Sequence, residues 1–451
     1  MKDQYQVLIC GAGIAGVSTA YFLAVHRGVK DILLVDERAP LSLTSDQSTE
    51  CYRNWWPGPG MAMVQLMNRS IDLMEELADE SGNTFQLNRR GYLYCTSRRE
   101  AIASMLSEAQ EISRLGAGPL RIFRGEPGEP VYQPAPPEGY REQPDGADLI
   151  LDPSLIQAYF PFISRDVVAA LHARRAGWFS AQQMGMYMLN QARQHGVELV
   201  KDQVTGVEVH HDQVAAVMLA DAGRIKTISF VNAAGPFVGH VAAMLGLDLP
   251  IYNELHLKAA FNDHLGILSR AAPLTIFNDR QALDWQPEDK QFLEQDDQLG
   301  WLLEEMPAGS HIRPEGGPDS QMILVLWEYD TKIIQPVWPL PVDPQYAEIA
   351  LRGMIKLIPE MSVYLERLPR PQVDGGYYTK TRENRPLIGR LPIKGAYIIG
   401  ALSGFGLMAA CGAGDLLAAH VSGSTLPTYS AAFALERYND PAYQKLLENW
   451  G

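Results

Sequence analysis

Apolar and polar positions alternate along the chain in a few recognisable patterns. Gln6–Cys10 is a short apolar strand, and Val17–Val25 continues beyond a turn with helix-compatible residues. Ile32–Val35 is a second apolar strand. Apolar spacing predicts an amphipathic helix from about Met61 to Ala78 and another near Gly185–His195. The stretch GVELVKDQVTGVEVHHDQVAAVML (196–219) alternates with period two, as strands do, and TISFVNAAGPFV (227–238) closes it. LHLKAAF (255–261) and MILVLWEY (322–329) are further apolar strands, while Glu126–Gly146, rich in Pro and Gly, is a long surface loop. Near the end, GAYIIGALSGFGLMAACGAGDLLAAHVSG (395–423) supplies a strand, a glycine-rich turn and a helix starting near Met408.

The first of these patterns, QVLICGAGIAGVSTAYFL (6–23), suits three readings: a secretory signal, a membrane span or a dinucleotide-binding turn. A signal begins with a basic segment and ends at small residues. Here Met1–Tyr5 is mixed in charge, and His26 and Arg27 follow the apolar run. A span needs roughly 20 apolar residues, and three glycines in the first half of this run would weaken a helix. The dinucleotide reading has its demands met. Gly11, Ala12, Gly13, Ile14, Ala15 and Gly16 form a G-x-G-x-x-G turn between strand and helix, and the second strand ends in Asp36, 25 residues after Gly11. The glycines permit a tight turn and close approach to a pyrophosphate, and the acid accepts hydrogen bonds from ribose hydroxyls. An acid at Asp36 also disfavours NADP, whose 2′-phosphate calls for an arginine.

Composition narrows the class further. A chain of 451 residues leads us to expect two or three domains. Lys and Arg number 38 against 53 Asp and Glu, giving −15, which argues against nucleic acid or an anionic lipid surface as partner. Cys10, Cys51, Cys95 and Cys411 are scattered without metal-ligand spacing, so reduced thiols, a cytoplasmic location and no metal site are expected. Between NAD and FAD, the later glycine-bearing strand ends decide. Ala233-Ala234-Gly235 and the 402–406 turn lie far from the first turn, so one long cofactor crossing several loops is expected.

These motifs, with the "ST" of Ser48-Thr49, IRPEGG (312–317) and RPLIG (385–389), resemble the D-amino-acid oxidase-like superfamily of FAD-dependent oxidoreductases from Gln6 to about Gly423. The resemblance implies an α/β fold: a Rossmann-like FAD-binding domain threaded by an α+β substrate part with a mainly antiparallel sheet. The corresponding boundaries are 1–90, 151–252 and 365–430 for the FAD domain, and 91–150 and 253–364 for the substrate domain. A C-terminal tail, 431–451, packs on the FAD domain. FAD-binding positions carried over are the first turn, Asp36 with Glu37 and Arg38, Ser48, Thr49, Val204, Ala234, Gly235 and Gly404, Phe405, Gly406, Leu407 and Met408. The helix that follows points its N-terminus at the flavin ring. The implied activity is oxidation of a small amine or amino acid at its Cα–H, giving an imine that water hydrolyses, with dioxygen or an unidentified carrier as electron acceptor. Two alternatives remain: a non-catalytic flavoprotein that assists assembly of another complex, and an FAD dehydrogenase of a hydroxy acid.

Departures from the family limit the substrate. Met408 replaces a carboxylate-holding lysine, Tyr378 replaces an arginine, and MILVLWEY lacks the lysine that relatives use to activate oxygen. Gly376 stands where sarcosine oxidases tether flavin through cysteine. Cys51 matches a tethering histidine of dimethylglycine-dehydrogenase-like proteins, yet non-covalent FAD beside an ordinary thiol is expected. Arg53 is the family-matched cation left to hold a substrate carboxylate, unless it is a surface arginine after a turn. His256 either faces the pocket or is a structural histidine. Tyr377, Tyr378, Lys380 and Arg382 pass near the flavin ring, with at least one of the two cations solvated. Trp55-Trp56 reads as core rather than as a substrate cage, and Arg313 opens a strand unless it reaches the substrate.

Overall fold

The computed structural model describes residues 1–448, so the last three positions of the expected tail lie outside the described residues. Two large sheets organise the chain. In the first, strands run in the order Val204–His210, Gln213–Leu219, Gly223–Asn232, Gln4–Cys10, Ile32–Asp36, Glu198–Lys201. Ala396–Gly400 also joins Gly223–Asn232, and Leu387–Arg390 joins Ala396–Gly400. The centre is parallel, and its strands are apolar on both sides because helices cover it. On one face these are Ile14–Tyr21, Ala62–Ser81, Ala181–Gln194 and Gly406–Ser422, which share one apolar core with the sheet; the other face forms a second core with Val238–Ala243.

The helix limits follow local chemistry. The first helix begins at Ile14 instead of Val17 and widens into a π turn at Phe22–His26. The helix expected near Gly185 starts earlier, because the Ser180 hydroxyl accepts the Gln183 N–H and caps it. Gly82, in the left-handed conformation, ends Ala62–Ser81. The last core helix starts at Gly406, two residues before Met408. Among the described residues it belongs to the one segment, Ser403–Ser422, long and apolar enough to cross a membrane, and 78% of that segment's most apolar window is buried inside the fold. Its apolar surface faces protein: Ser18 Oγ donates to the Ala410 carbonyl at 2.6 Å, and Gly414 lets the first helix approach.

The second sheet has nine strands: Gln372–Lys380, Tyr252–Asn262, Met322–Leu326, Ser310–Pro314, Leu274–Phe277, Tyr92–Thr96, Ala169–Ala173, Ala147–Ile150 and Leu120–Phe123. It is mainly antiparallel, with parallel pairs at 274–277 with 92–96 and at 120–123 with 147–150. The sheets divide the chain differently from the expected boundaries in two places. Ala169–Ala173, expected in the FAD domain, pairs with Tyr92–Thr96 in the second sheet. Gln372–Lys380, also expected there, pairs with Tyr252–Asn262 along its whole length. Periodicity marks a strand but not the sheet it joins.

Alternation gives the second sheet two different faces. Leu93, Ala259, Phe261, Ile312, Ile323 and Val325 turn to one side and bury a core under Tyr346–Ile355. On the other side, Tyr252–Asn262 and Gln372–Lys380 turn His256, Lys258 and Tyr378 toward the first domain, and the strands from Leu274–Phe277 to Ala147–Ile150 bury a further apolar core under Ala101–Ile112. A short pairing of Cys51–Arg53 with Ala176–Trp178 joins the two halves.

Candidate cofactor and active site

A cavity of about 410 Å³ opens at the carboxyl ends of the first sheet's central strands, where open α/β sheets bind ligands. Its wall runs from Gly11 and Gly13 past Asp36 and Val204 to Gly235 and Gly406. The glycines at its floor are required by contact. A Cβ on Gly11 would strike the Ala233 carbonyl, and one on Gly16 would strike the Gly11 carbonyl. Gly13 is different: a Cβ there would meet only the Ser45 hydroxyl, at 3.3 Å, so its surroundings are open. Asp36 accepts the Ala12 N–H at 2.7 Å and the Arg38 N–H at 2.9 Å, which fixes its carboxylate at the rim. Burial raises its carboxyl above the ordinary range, and those two donors only partly offset this.

A smaller cavity, about 50 Å³, shares Ile14, Thr44, Ser45, Ser403 and Gly406 with the larger one. Its far wall is the polar face of the second sheet: His256, Lys258, Leu326, Gly376 and Tyr378. Pairing register explains the cluster. Gly376 stands opposite His256 and Tyr378 opposite Glu254. With no side chain at 376, the Tyr378 ring lies diagonally over His256, stacked at 3.8 Å and 15°. His256 Nε2 lies 3.0 Å from Glu254 Oε2, and Lys380 Nζ lies 2.5 Å from the same oxygen. Burial raises the Tyr378 hydroxyl far above its usual range.

The N-terminus of the Gly406–Ser422 helix lies on both cavity walls. The turn before it holds two non-glycine residues in the left-handed region, Ala401 at φ 52° and Ser403 at φ 48°. Such strain persists where the surroundings impose it, commonly at ligand sites. Gly404 is pressed flat against the Tyr378 ring, where a Cβ would collide.

These walls fit FAD. Gly13, before the helix that starts at Ile14, turns its open backbone to the space a pyrophosphate would take, and Asp36 retains lone pairs for ribose hydroxyls. All three glycine-bearing turns contribute to the larger cavity's wall. Among the described residues, no group of three or more His, Cys, Asp or Glu is placed to hold a metal ion.

Most expected cofactor residues reach a wall. Gly11, Gly13, Ile14, Ala15, Asp36, Glu37, Arg38, Val204, Ala234, Gly235 and Gly406 line the larger cavity, and Ser48, Gly404 and Leu407 the smaller. Ala12, Gly16, Thr49, Phe405 and Met408 reach neither. Ala12 instead holds Asp36, and Gly16 seats helix on strand. The Thr49 carbonyl accepts from Arg313 Nε and Nη2, at 3.0 and 2.8 Å. Phe405 meets the Trp56 ring edge-on at 4.9 Å, and Met408 is buried in the helix core.

The substrate candidates divide similarly. Tyr378 and His256 line the smaller cavity, and Tyr377 the larger. Lys380 stands behind them on Glu254, and Arg382 is exposed, so it is the solvated cation of the pair. Arg53 is not on a cavity wall. Its guanidinium is enclosed by Trp56 at 4.9 Å and Tyr92 at 5.5 Å, and its Nε is buried without a hydrogen bond. Trp55 is core. Arg313 does sit in a strand, and it is fully buried over Trp178 rather than opening toward the cavity. The Cys51 thiol donates to the Thr49 carbonyl at 3.1 Å, and burial pushes it up.

Sequence reasoning missed Lys258, whose ammonium bonds Asp374 and, at 3.0 Å, the Gln47 carbonyl. It lies two residues after His256, so alternation alone puts both on one face. It missed Ser45 too, whose hydroxyl accepts the Ile14 N–H at 3.0 Å beside Gly13.

Comparison with known proteins agrees with this geometry. The dimethylglycine dehydrogenase of Rattus norvegicus mitochondria is 26% identical over 257 residues, 56% of this chain and 26% of that protein. The sarcosine oxidase subunit beta of Rhizobium meliloti (strain 1021) is 24% identical over 266 residues, 58% of this chain and 56% of that one. The chain thus matches about a quarter to a half of the length of these relatives. The crystal structure of L-proline dehydrogenase from P. horikoshii superposes with a TM-score of 0.74 at 20% identity, covering 97% of this chain and 99% of that one. The glycine oxidase structure from Geobacillus kaustophilus gives 0.71 at 15% identity, with 96% and 99% covered. The family model "DAO: FAD dependent oxidoreductase" matches residues 6–420, and the chain belongs to that family.

Proposed function

We propose that this chain oxidises a small amine or amino acid with non-covalently held FAD. The observation that carries the reading is the junction of the two cavities. The dinucleotide cavity ends at Ser403 and Gly406, where the chamber walled by His256 and Tyr378 begins. Gly13, at the start of the first helix, would hold the pyrophosphate, Asp36 the ribose, and the Gly406 helix end the electron-rich edge of the ring. Bound FAD supplies two-electron oxidation of the substrate's C–N bond. The chain's own part is to exclude water, to orient the substrate on the sheet face and to manage the amine proton. The relatives named for dimethylglycine, sarcosine, proline and glycine support an amine or amino acid as substrate.

The wall also bears on which amine. Lys258 is committed to Asp374 and Lys380 to Glu254, and Arg53 is caged. A buried carboxylate without a cation costs several kcal/mol, so this wall favours amines over amino acids whose carboxylate would face it. Anaerobic stopped-flow mixing with a panel of amines and amino acids tests the proposal. Bleaching of the flavin band by at least one amine is expected, and reoxidation by dioxygen then separates oxidase from dehydrogenase. A flavin that no amine or amino acid bleaches would overturn it in favour of a non-catalytic flavoprotein, and bleaching by hydroxy acids alone in favour of a hydroxy-acid dehydrogenase.

A further inference from the structure

One nitrogen on the substrate wall is buried and without a hydrogen bond. His256 is 4% exposed, and its Nε2 is engaged by Glu254. Lys380 on the same carboxylate oxygen fixes that acid, and Tyr378 covers one ring face. Nδ1 has no hydrogen-bond partner, although Glu328 Oε1 lies 3.1 Å away, outside the alignment a hydrogen bond needs. A neutral imidazole in this setting keeps its proton on Nε2, donated to Glu254, and leaves the Nδ1 lone pair open. A carboxylate that orients a histidine and stabilises its cation is the arrangement of a working base.

We propose that His256 is the catalytic base that takes the proton from the substrate's ammonium group. This rests on the amine reading above. The substrate N–H bond breaks, an Nδ1–H bond forms, and the electron pair left on nitrogen makes the amine oxidisable. The imidazolium then lies between Glu254 and Glu328. Before transfer, the wall carries two carboxylates against one cation, Lys380, so it attracts an ammonium ion. After transfer, the charge is balanced and the neutral amine stays.

The two carboxylates beside His256 support this assignment. Burial works against the imidazolium, and Glu254 on its own strand and Glu328 beyond the Met322–Leu326 strand outweigh it. Lys380 opposes them weakly from the edge strand. The net effect holds His256 above the ordinary histidine range. Glu328 is held below the carboxylate range: burial acts to raise it, and His256, Lys380 and His311 outweigh that. Burial keeps His311 neutral-leaning, and the Arg53 cation acts on Glu328 from the far side. Lys258 and Asp374 cancel each other.

Two measurements on the FAD-loaded protein test the proposal. In histidine-selective ¹⁵N NMR, the signal lost in His256→Asn should show the Nε2–H tautomer and titrate above about 6.5, the unperturbed value. Glu328→Gln should lower that midpoint. In anaerobic stopped flow with an amine that bleaches the flavin, the second-order reduction rate should rise with pH through the same midpoint. His256→Asn should slow it at pH 7 by about a hundred- to ten-thousand-fold. The loss should shrink toward the substrate amine's own pKa, with flavin content unchanged. A deficit equal at all pH values would show a structural role and overturn the proposal, as would an Nδ1–H tautomer or an unaltered profile in His256→Asn. Should His256→Asn fail to fold, Glu328→Gln decides alone, since its kinetic midpoint must fall with its NMR midpoint. If no amine bleaches the wild-type flavin, the amine reading itself fails and takes this one with it.

Discussion

Replacing Arg437 with methionine should remove about 3 kcal/mol of stability at pH 7. Arg437 and Glu383 form a buried ion pair, with side chains 3% and 0% exposed. Arg437 donates from Nε and Nη2 to Glu383 Oε1, at 3.1 and 2.8 Å, and from Nη1 to the Pro386 carbonyl at 3.0 Å. The Tyr438 and Tyr443 hydroxyls donate to the same carboxylate oxygen, at 2.7 and 2.9 Å. Breaking a buried pair typically costs about 3–5 kcal/mol, because a lone charge stays behind. The low end applies, since two hydroxyls still stabilise the carboxylate. The pH dependence follows from Glu383. In the wild type, burial acts to raise its carboxyl, and Arg437 outweighs this, so the folded pKa lies below the unfolded one. Its contribution is complete above about 4.3, the unfolded value, and is lost as pH falls through the folded value. Without Arg437, the two tyrosine hydroxyls offset burial only in part and the folded pKa rises above about 4.3. The penalty is then complete at pH 8 and fades toward pH 4 as the carboxyl takes a proton. Urea unfolding at fixed FAD concentration, followed by tryptophan fluorescence from pH 4 to 8, measures both. The double variant Arg437→Met/Glu383→Gln should regain at least half of the loss at pH 7. A loss under about 1 kcal/mol, or one constant with pH, would refute the reasoning.

Four further outcomes are expected. Gly13→Val should purify folded but without flavin, because its side chain meets only Ser45 and otherwise fills cofactor space; absorbance at the flavin band checks this, and normal flavin content would refute it. Gly16→Val should yield no soluble protein, since the Gly11 carbonyl cannot yield to a Cβ. Arg53→Ala should cost about 2–3 kcal/mol in urea unfolding, from a desolvated cation held between two rings; lost turnover of a carboxylate substrate with unchanged stability would restore Arg53 as an anchor. Gly404→Ala should keep its flavin yet slow reduction by an amine at least about tenfold, because the new methyl displaces Tyr378 and, through it, His256.

Local signals served the sequence reading well at the dinucleotide end. Strand, glycine turn, helix and Asp36 are contiguous, so spacing alone places them together, and they line one cavity. The substrate wall was harder because pairing across strands builds it. Nothing in LHLKAAF says that Asp374 stands opposite Lys258, or that Gly376 leaves room for a ring over His256. Arg53 shows the opposite limit. A family-matched position identifies the residue, but its partners Trp56 and Tyr92 come from a loop and another strand, and they enclose it. Sheet membership of Ala169–Ala173 and Gln372–Lys380 was invisible for the same reason.

The wall of the larger cavity draws on positions from Cys10 to Gly406, and this fixes when the protein can acquire its cofactor. During synthesis, the first glycine turn emerges early and then waits for the segment that completes the site. At about 5–20 residues per second, the interval between Gly11 and Gly406 is roughly 20 to 80 s. Through much of it, the apolar Gln4–Cys10 strand also lacks its neighbour Gly223–Asn232. A nascent chain halted before residue 400 should therefore capture no flavin, and the early strand is exposed to aggregation for as long as its partner is unmade. Cofactor supply cannot rescue that stage, whereas a chaperone that shields the amino-terminal strand can.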